Sequence, residues 1–475
     1  MKTTLAQIKY KTGDFDYNLR NIIHYCEEME HSSTSGNGDL IIFPQVDIEE
    51  IGGKDLVLDE NCRKAQIEIY QKIADKNFSK NILIGDMLIR NKNVEVSEDG
   101  YFEIGDKKIY VSDTYENDID CDLYILAKNR YYAMNTYKEF IDNIETDKNF
   151  IFISSIGIAD ADVYSGLSFA KNSDNNLVLQ FGLCKEEVET VDFSRVIEFQ
   201  EEPVEKQIID VTTFALKEYC ENTGLKKVVL GLSGGIDSAL TAVLASRAIG
   251  SENVFGILMP SMFSSKGSIS DSMELARNLG IKTFAEPITD LFRSFMLGRE
   301  SLHDLAEENL QARLRGLILM FYSNREGYLL LSTGNKSESA MGFGTLYGDL
   351  AGGYNMICDL TKTNVYKVSN YINKDGEIIP QAIIDKAPSA ELHPNQKDQD
   401  RLPEYEILDD IIELYLEKNI SVDEICEKYD RKIVEDVVTK IYRMQFKRHQ
   451  GCLGIRLTER SFVAGTNIPV VQNFY

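Results

Sequence analysis

The chain holds 475 residues, with 51 lysines and arginines against 76 aspartates and glutamates, for a net charge of −25. That length is too great for one hydrophobic core, and so acidic a surface repels phosphate backbones. Two or three domains and no nucleic-acid partner are therefore expected. No run of roughly 18 apolar residues occurs, and the start MKTTLAQIKYKTGDF lacks an apolar secretory segment, so no membrane partner and a cytoplasmic location are expected.

In chain order, TLAQIKY (Thr4 to Tyr10) reads as a strand and is followed by a helical pattern. His31 to Asp39 reads as a polar loop. Further strand candidates are DLIIFP (Asp39 to Pro44), NILIGDMLI (Asn81 to Ile89), KKIYVSD (Lys107 to Asp113), CDLYILAK (Cys121 to Lys128) and NFIFISSIG (Asn149 to Gly157). The acidic stretch from Ile197 to Lys206 reads as a linker. After it, strand-like and helix-like pieces alternate: Lys226 to Leu232, Ala239 to Ile249, Val254 to Pro260, Ile269 to Leu279, Ile281 to Pro287, Leu305 to Tyr322, then Tyr328 to Ser332. That order implies a doubly wound parallel sheet with ligand loops at the carboxyl ends of its strands. The eight cysteines form no C-x-x-C pair and the five histidines no H-x-x-x-H pair. Neither a disulfide framework nor a zinc site is expected.

The densest chemical signal is GLSGGIDSAL, Gly231 to Leu240, which follows a strand and opens a helix. Gly234 and Gly235 let the backbone approach a ligand closely, and the amides at a helix start attract anions. Ser233 and Ser238 add hydroxyl donors. Asp237 would repel a bare phosphate, so it argues for a bridging Mg²⁺. The loop is neither a G-K-[ST] phosphate loop nor a G-x-G-x-x-G fingerprint.

The loop resembles the pyrophosphate loop of the ATP-pyrophosphatase superfamily. Further blocks resemble one member family, the NAD synthetases: Met259 to Gly280, EENLQARLRG (Glu307 to Gly316), Ser332 to Tyr366 with T-G-N-K-S-E and Y-G-D, Pro388 to Asp409, and FKRHQ (Phe446 to Gln450). Where that family continues with a proline-rich pair, this chain reads GCLG. The resemblance implies that ATP contacts Gly231, Leu232, Ser233, Gly234, Gly235, Ile236, Asp237, Ser238, Thr333, Lys362 and Ser389. It implies a deamido-NAD site at Asn309, Arg313, Glu338, Asp349 and Lys447, Mg²⁺ on Asp237 and Glu338, and catalytic roles for Ser233, Asp237, Ser238 and Lys362. The implied reaction joins the nicotinate carboxylate of deamido-NAD to the α-phosphate of ATP. Pyrophosphate leaves, ammonia attacks the acyl-adenylate, and AMP departs.

The N-terminal half is similar to the nitrilase-like glutaminase domain of glutamine-dependent NAD synthetases, through Thr4 to Asn18, DLIIFPQ, Gly52 to Leu58 and Ser154 to Phe169. The expected fold is thus a nitrilase-like α-β-β-α sandwich over residues 1–200 and an ATP-pyrophosphatase sheet over 201–475. Such glutaminases need a Glu base, a Lys and a Cys nucleophile. Here Gln45 stands at the Glu position and Ser112 near the Cys position, and the loop for the Lys is missing from Asn91 to Val111. Read this way, glutaminase activity is absent, and free ammonia or a separate ammonia-supplying protein is the nitrogen source. A homo-oligomer, dimer or larger, is the expected assembly. Two other readings stay open: a glutamine-dependent enzyme with a borrowed or unrecognised glutaminase, and a non-catalytic nucleotide-binding assembly protein.

Overall fold

The computed structural model describes residues 1–30, 39–393 and 396–474. The polar loop read from His31 lies, up to residue 38, outside the described residues. The chain forms two compact units, Met1–Val211 and Thr212–Tyr475. The division at residue 211, rather than 200, falls inside the helix Val204–Thr223.

The first unit is built on two six-stranded sheets. One carries Glu187–Thr190, Thr3–Gln7, Leu40–Phe43, Asn81–Ile84, Met87–Arg90 and Asn93–Val96, in that order. The other runs Leu177–Gln180, Phe169–Lys171, Asn149–Ile153, Leu123–Ala127, Lys107–Ser112, Tyr101–Ile104. Successive strand side chains point to opposite faces, so apolar residues at both parities bury both faces of a sheet. Leu5, Ile42 and Leu83 of the first sheet join Ile109, Ile125 and Ile151 of the second in a shared core. On its outer face, Ile41 and Ile82 cluster with Ile22 of the helix Phe15–Glu30 and Ile73 of the helix Glu60–Lys76. Outside the second sheet, Tyr124, Phe150 and Phe152 cluster with Ile141 of the helix Tyr137–Asn143. The result is the expected α-β-β-α sandwich.

One strand was expected over NILIGDMLI, and two are found. Asn81–Ile84 and Met87–Arg90 pair antiparallel around Gly85 and Asp86, with Gly85 at φ +57°. A glycine followed by aspartate between apolar runs is hairpin chemistry, and that local signal outweighs the continuous hydrophobicity.

The second unit holds a six-stranded sheet of parallel strands in the order Lys282–Ala285, Val254–Leu258, Val228–Gly231, Leu329–Ser332, Tyr354–Asn355, Leu453–Gly454. The chain winds outward from Val228–Gly231 in one direction, then in the other. Such a reversal opens a crevice at the carboxyl ends of the two central strands. The expected helices are present as Ile236–Ile249, Lys266–Leu279 and Leu305–Glu326. Asp304 caps the last by accepting from the amides of Ala306 and Glu307, and Gly327 ends it at φ +68°. The GCLG departure supplies the edge strand. A side chain at Gly454 would lie 2.3 Å from Cys358 Sγ, so only glycine fits there.

Candidate functional site

Beside the glycine loop the second unit encloses a cavity of about 540 Å³. Gly234 stands at φ +75°, where L-residues are strained, and a methyl group on it would come within 2.5 Å of the Ser268 carbonyl oxygen. The loop is stitched by its own serines. Ser233 Oγ accepts from the Gly235 amide at 3.2 Å and lies 3.0 Å from Ser238 Oγ, which donates to the Gly235 carbonyl. Gly234→Ala is expected to raise the ATP KM at least about tenfold and to cost roughly 1–3 kcal/mol of stability. Steady-state kinetics and urea unfolding check both numbers, and an unchanged KM would show that the loop tolerates the shift.

Three segments converge on Asp237. Lys362 Nζ lies 2.5 Å from Asp237 Oδ2 and 3.5 Å from Glu338 Oε1. Lys362 is 2% exposed, at the start of the helix Lys362–Asn373. Asn335 donates from Nδ2 to Asp237 Oδ1 at 2.9 Å. The same Asn335 caps the helix Lys336–Met341, accepting from the Glu338 amide while Glu338 Oε2 accepts from the Asn335 amide. Glu338 is thereby aimed at the lysine. Burial pushes its carboxyl up to about 8; the Lys362 ammonium pulls it down and the Asp237 charge pushes it up. Asp398, bonded by the Tyr405 hydroxyl at 2.8 Å, is a further buried carboxylate at this wall, likewise raised by burial.

These donors suit Mg²⁺. Two carboxylates already share one cation, and that ion is usually held by one or two carboxylates together with substrate phosphates and water. Among the described residues no set of three or more His, Cys, Asp or Glu side chains forms a protein-only cage.

Of the residues expected to touch ATP, Gly231, Leu232, Ser233, Gly235, Ile236, Asp237, Ser238, Thr333, Lys362 and Ser389 line the cavity, and Gly234 does not. Asn309, Glu338, Asp349 and Lys447 line it too. Asn309 Oδ1 accepts from Thr345 Oγ1 at 2.7 Å, and Asp349 Oδ1 accepts from the Thr345 amide at 2.7 Å, so the two are set by one threonine. Lys447 donates to the carbonyls of Gly342 and Gly344. Arg313 is not part of the wall. It is exposed, and its Nε donates to the Leu346 carbonyl. Sequence reasoning missed Asn335, although an asparagine three residues before a glutamate at a helix start signals reciprocal capping.

In the first unit, Gln45 follows the strand Leu40–Phe43. Its Nε2 donates to Asp47 Oδ2 at 2.9 Å, and its backbone carbonyl accepts from Asn129 Nδ2. Ser112 ends the strand Lys107–Ser112, and its Oγ donates to Glu116 Oε1 at 3.3 Å. Lys128 pairs with Glu50 at 3.2 Å and lies 3.9 Å from Asp113. The stretch Asn91 to Val111, read as too short for a lysine-bearing loop, runs through three short strands, Asn93–Val96, Tyr101–Ile104 and Lys107–Ser112.

The sequence pattern of the NAD synthase family matches residues 208–451. A glutamine-dependent NAD(+) synthetase of Acinetobacter baylyi is 31% identical over 100% of this chain and 98% of its own length. One from Thermotoga maritima is 48% identical over 57% of this chain; the match spans 48% of that relative. Among solved structures, a glutamine-dependent NAD+ synthetase from Acinetobacter baumannii, in complex with ADP, aligns with a TM-score of 0.74 at 27% identity, covering 99% of this chain and 98% of that one. A counterpart from Cytophaga hutchinsonii aligns at 0.83 with 16% identity and shares the fold, over 99% of this chain and 98% of that one. These findings correct one expectation. The substitutions at Gln45 and Ser112 were read as loss of glutaminase activity, yet the relatives, one of them matched over the whole chain, are glutamine-dependent enzymes. Glutaminase activity is the expectation that follows.

Proposed function

The chain belongs to the NAD synthetases of glutamine-dependent type, and from that premise we propose that it amidates deamido-NAD to NAD at the expense of ATP, with glutamine as nitrogen donor. The observation that carries this reading is the meeting of Asp237, Glu338 and Lys362 beside the glycine loop. In this reading the amides and serine hydroxyls of Ser233 to Ser238 hold the departing pyrophosphate. Lys362 neutralises charge that builds on the phosphoryl oxygens as the nicotinate carboxylate attacks, and such fixed donors act strongly in a site closed to water. Mg²⁺, when bound at Asp237 and Glu338, supplies further neutralisation. The nitrogen then displaces AMP from the acyl carbon.

The relatives' names support glutamine as donor. Because Gln45 and Ser112 stand where a Glu base and a Cys nucleophile would, the reading takes the hydrolytic centre as one not written at those two positions. A second copy of the chain is part of the proposal. Leu317, Met320 and Phe321, spaced along one face of the helix Leu305–Glu326, are exposed large apolar side chains, which supports self-association. None of the eight cysteines is joined in a disulfide, which supports a reducing, cytoplasmic setting. Among the described residues no helix is long and apolar enough to cross a membrane.

The test supplies ATP, Mg²⁺ and deamido-NAD with either ammonia-free glutamine or ammonium, and follows NAD and glutamate. NAD is expected from glutamine, with one glutamate released per NAD. Turnover with ammonium alone would overturn the choice of donor, and no turnover with either would overturn the reading as a whole.

A further inference from the structure

Among the described residues five cationic side chains line the cavity: Arg315, Lys362, Lys386, Arg401 and Lys447. Four are engaged. Lys362 lies between Asp237 and Glu338, Lys386 pairs with Glu391 at 2.9 Å, Arg401 grips Glu308 through two hydrogen bonds, and Lys447 serves two backbone carbonyls. Arg315 is different. Its Nε donates to the Met259 carbonyl at 3.1 Å, just past the strand Val254–Leu258. Among the described residues its two terminal nitrogens have no hydrogen-bond or ion-pair partner. Glu391 and Asp349 act on it through space without pairing, and burial lowers its pKa to about 10, so it stays cationic at neutral pH.

Two features prepare this side chain for a ligand. The bond to Met259 fixes the plane of the guanidinium, which leaves its outer edge as a ready fork of donors. Its helix also runs beside the glycine loop: a methyl group on Gly231 would meet Met259 Cε at 3.0 Å and Leu319 Cδ1 at 3.5 Å, one helical turn beyond Arg315. A planar fork of this kind matches phosphoryl oxygens better than an ammonium does.

We propose that Arg315 is an anion-binding residue of this cavity and takes a phosphoryl oxygen of a bound nucleotide on its free guanidinium edge. The proposal rests on the functional reading above only for the identity of the nucleotide, ATP or deamido-NAD, both of which carry phosphoryl oxygens.

The test uses the full chain with Arg315→Gln and Arg315→Lys. Calorimetry measures binding of Mg²⁺ with a non-hydrolysable ATP analogue, and separately of deamido-NAD, and thermal melting monitors the fold. Arg315→Gln is expected to weaken one ligand by about tenfold to a hundredfold, the usual worth of a hydrogen bond to a charged group, and the other by less than about threefold. The weakened ligand is the one Arg315 holds. Arg315→Lys should recover only part of the loss, since an ammonium keeps the charge but lacks the planar fork of donors that the Met259 carbonyl orients. Both affinities unchanged would overturn the proposal. Equal loss of both together with a lowered melting temperature in both variants would also overturn it, by marking a structural role. If the wild type binds ATP yet forms no NAD, the functional reading fails while the Arg315 comparison still reads out.

Discussion

Lys362→Met is expected to lower kcat for NAD formation about 10³-fold, the upper range for removing one donor from a preorganised site. The lysine is buried, and it is the only cation bonded to Asp237 among the described residues. Without it, Asp237 and Glu338 share only the neutral donors of Asn335 and have no cation between them. Two like charges in a partly buried site resist ionising together, so Glu338 should hold its proton more tightly still. A divalent cation can fill the gap, so Mg²⁺ should raise the melting temperature of this variant more than that of the wild type. The combined result separates a functional lysine from a packing one. A variant that keeps more than a tenth of wild-type kcat would remove Lys362 from the reaction.

Lys336→Met should unfold the second unit more readily by roughly 3–5 kcal/mol, the cost of breaking a buried ion pair by removing one partner. Lys336 is 1% exposed. Its ammonium lies 2.8 Å from Asp359 Oδ1 and 2.5 Å from Glu417 Oε1, and it donates to Thr458 Oγ1 at 2.8 Å. Methionine matches the stem but leaves two carboxylates without their cation. Adding Glu417→Leu should recover part of the loss, because a buried pair replaced by apolar groups costs far less than one that is broken. Denaturant unfolding of the single and double variants measures the coupling. A loss below about 1 kcal/mol for Lys336→Met would mean that solvent reaches the ammonium. Activity should fall as well, since Lys336 stands two residues before Glu338.

The cavity-lining residues that the sequence singles out are those whose chemistry is local. The glycine loop, Asp237 and Thr333 belong to short blocks in which neighbours along the chain are also neighbours in space. Arginine assignment shows where local reading stops. A-R-L-R offers Arg313 and Arg315, two residues and roughly 200° apart on a helix, so only one can face the cavity. The residues of this helix that line it are Leu305, Glu308, Asn309, Ala312, Arg315, Gly316 and Leu319, an i, i+3, i+4, i+7, i+10, i+11, i+14 stripe. That periodicity was present in the sequence and selects Arg315; the family pattern selected Arg313. Lys336 could not be found this way. It stands inside T-G-N-K-S-E as an ordinary helix residue, and its partners Asp359, Glu417 and Thr458 are far along the chain. In the first unit strand patterning gave the strands and the nitrilase-like resemblance gave the sandwich, but Gln45 and Ser112 misled, because the absence of expected groups at two positions is not the absence of a reaction.

The network around Lys336 also bears on the order in which the chain matures. Thr458 lies 122 residues after Lys336, and the strand Leu453–Gly454 closes the sheet edge beside Tyr354–Asn355. During synthesis the glycine loop and its helix emerge early, whereas the clamp beneath Glu338 and Lys362 waits for the last of these partners. A nascent chain therefore carries the glycine loop while Glu338 and Lys362 are still unfixed, and long-range closures of this kind are the slow steps of folding. Competence for chemistry should consequently arrive late and all at once, together with the closing of the sheet edge.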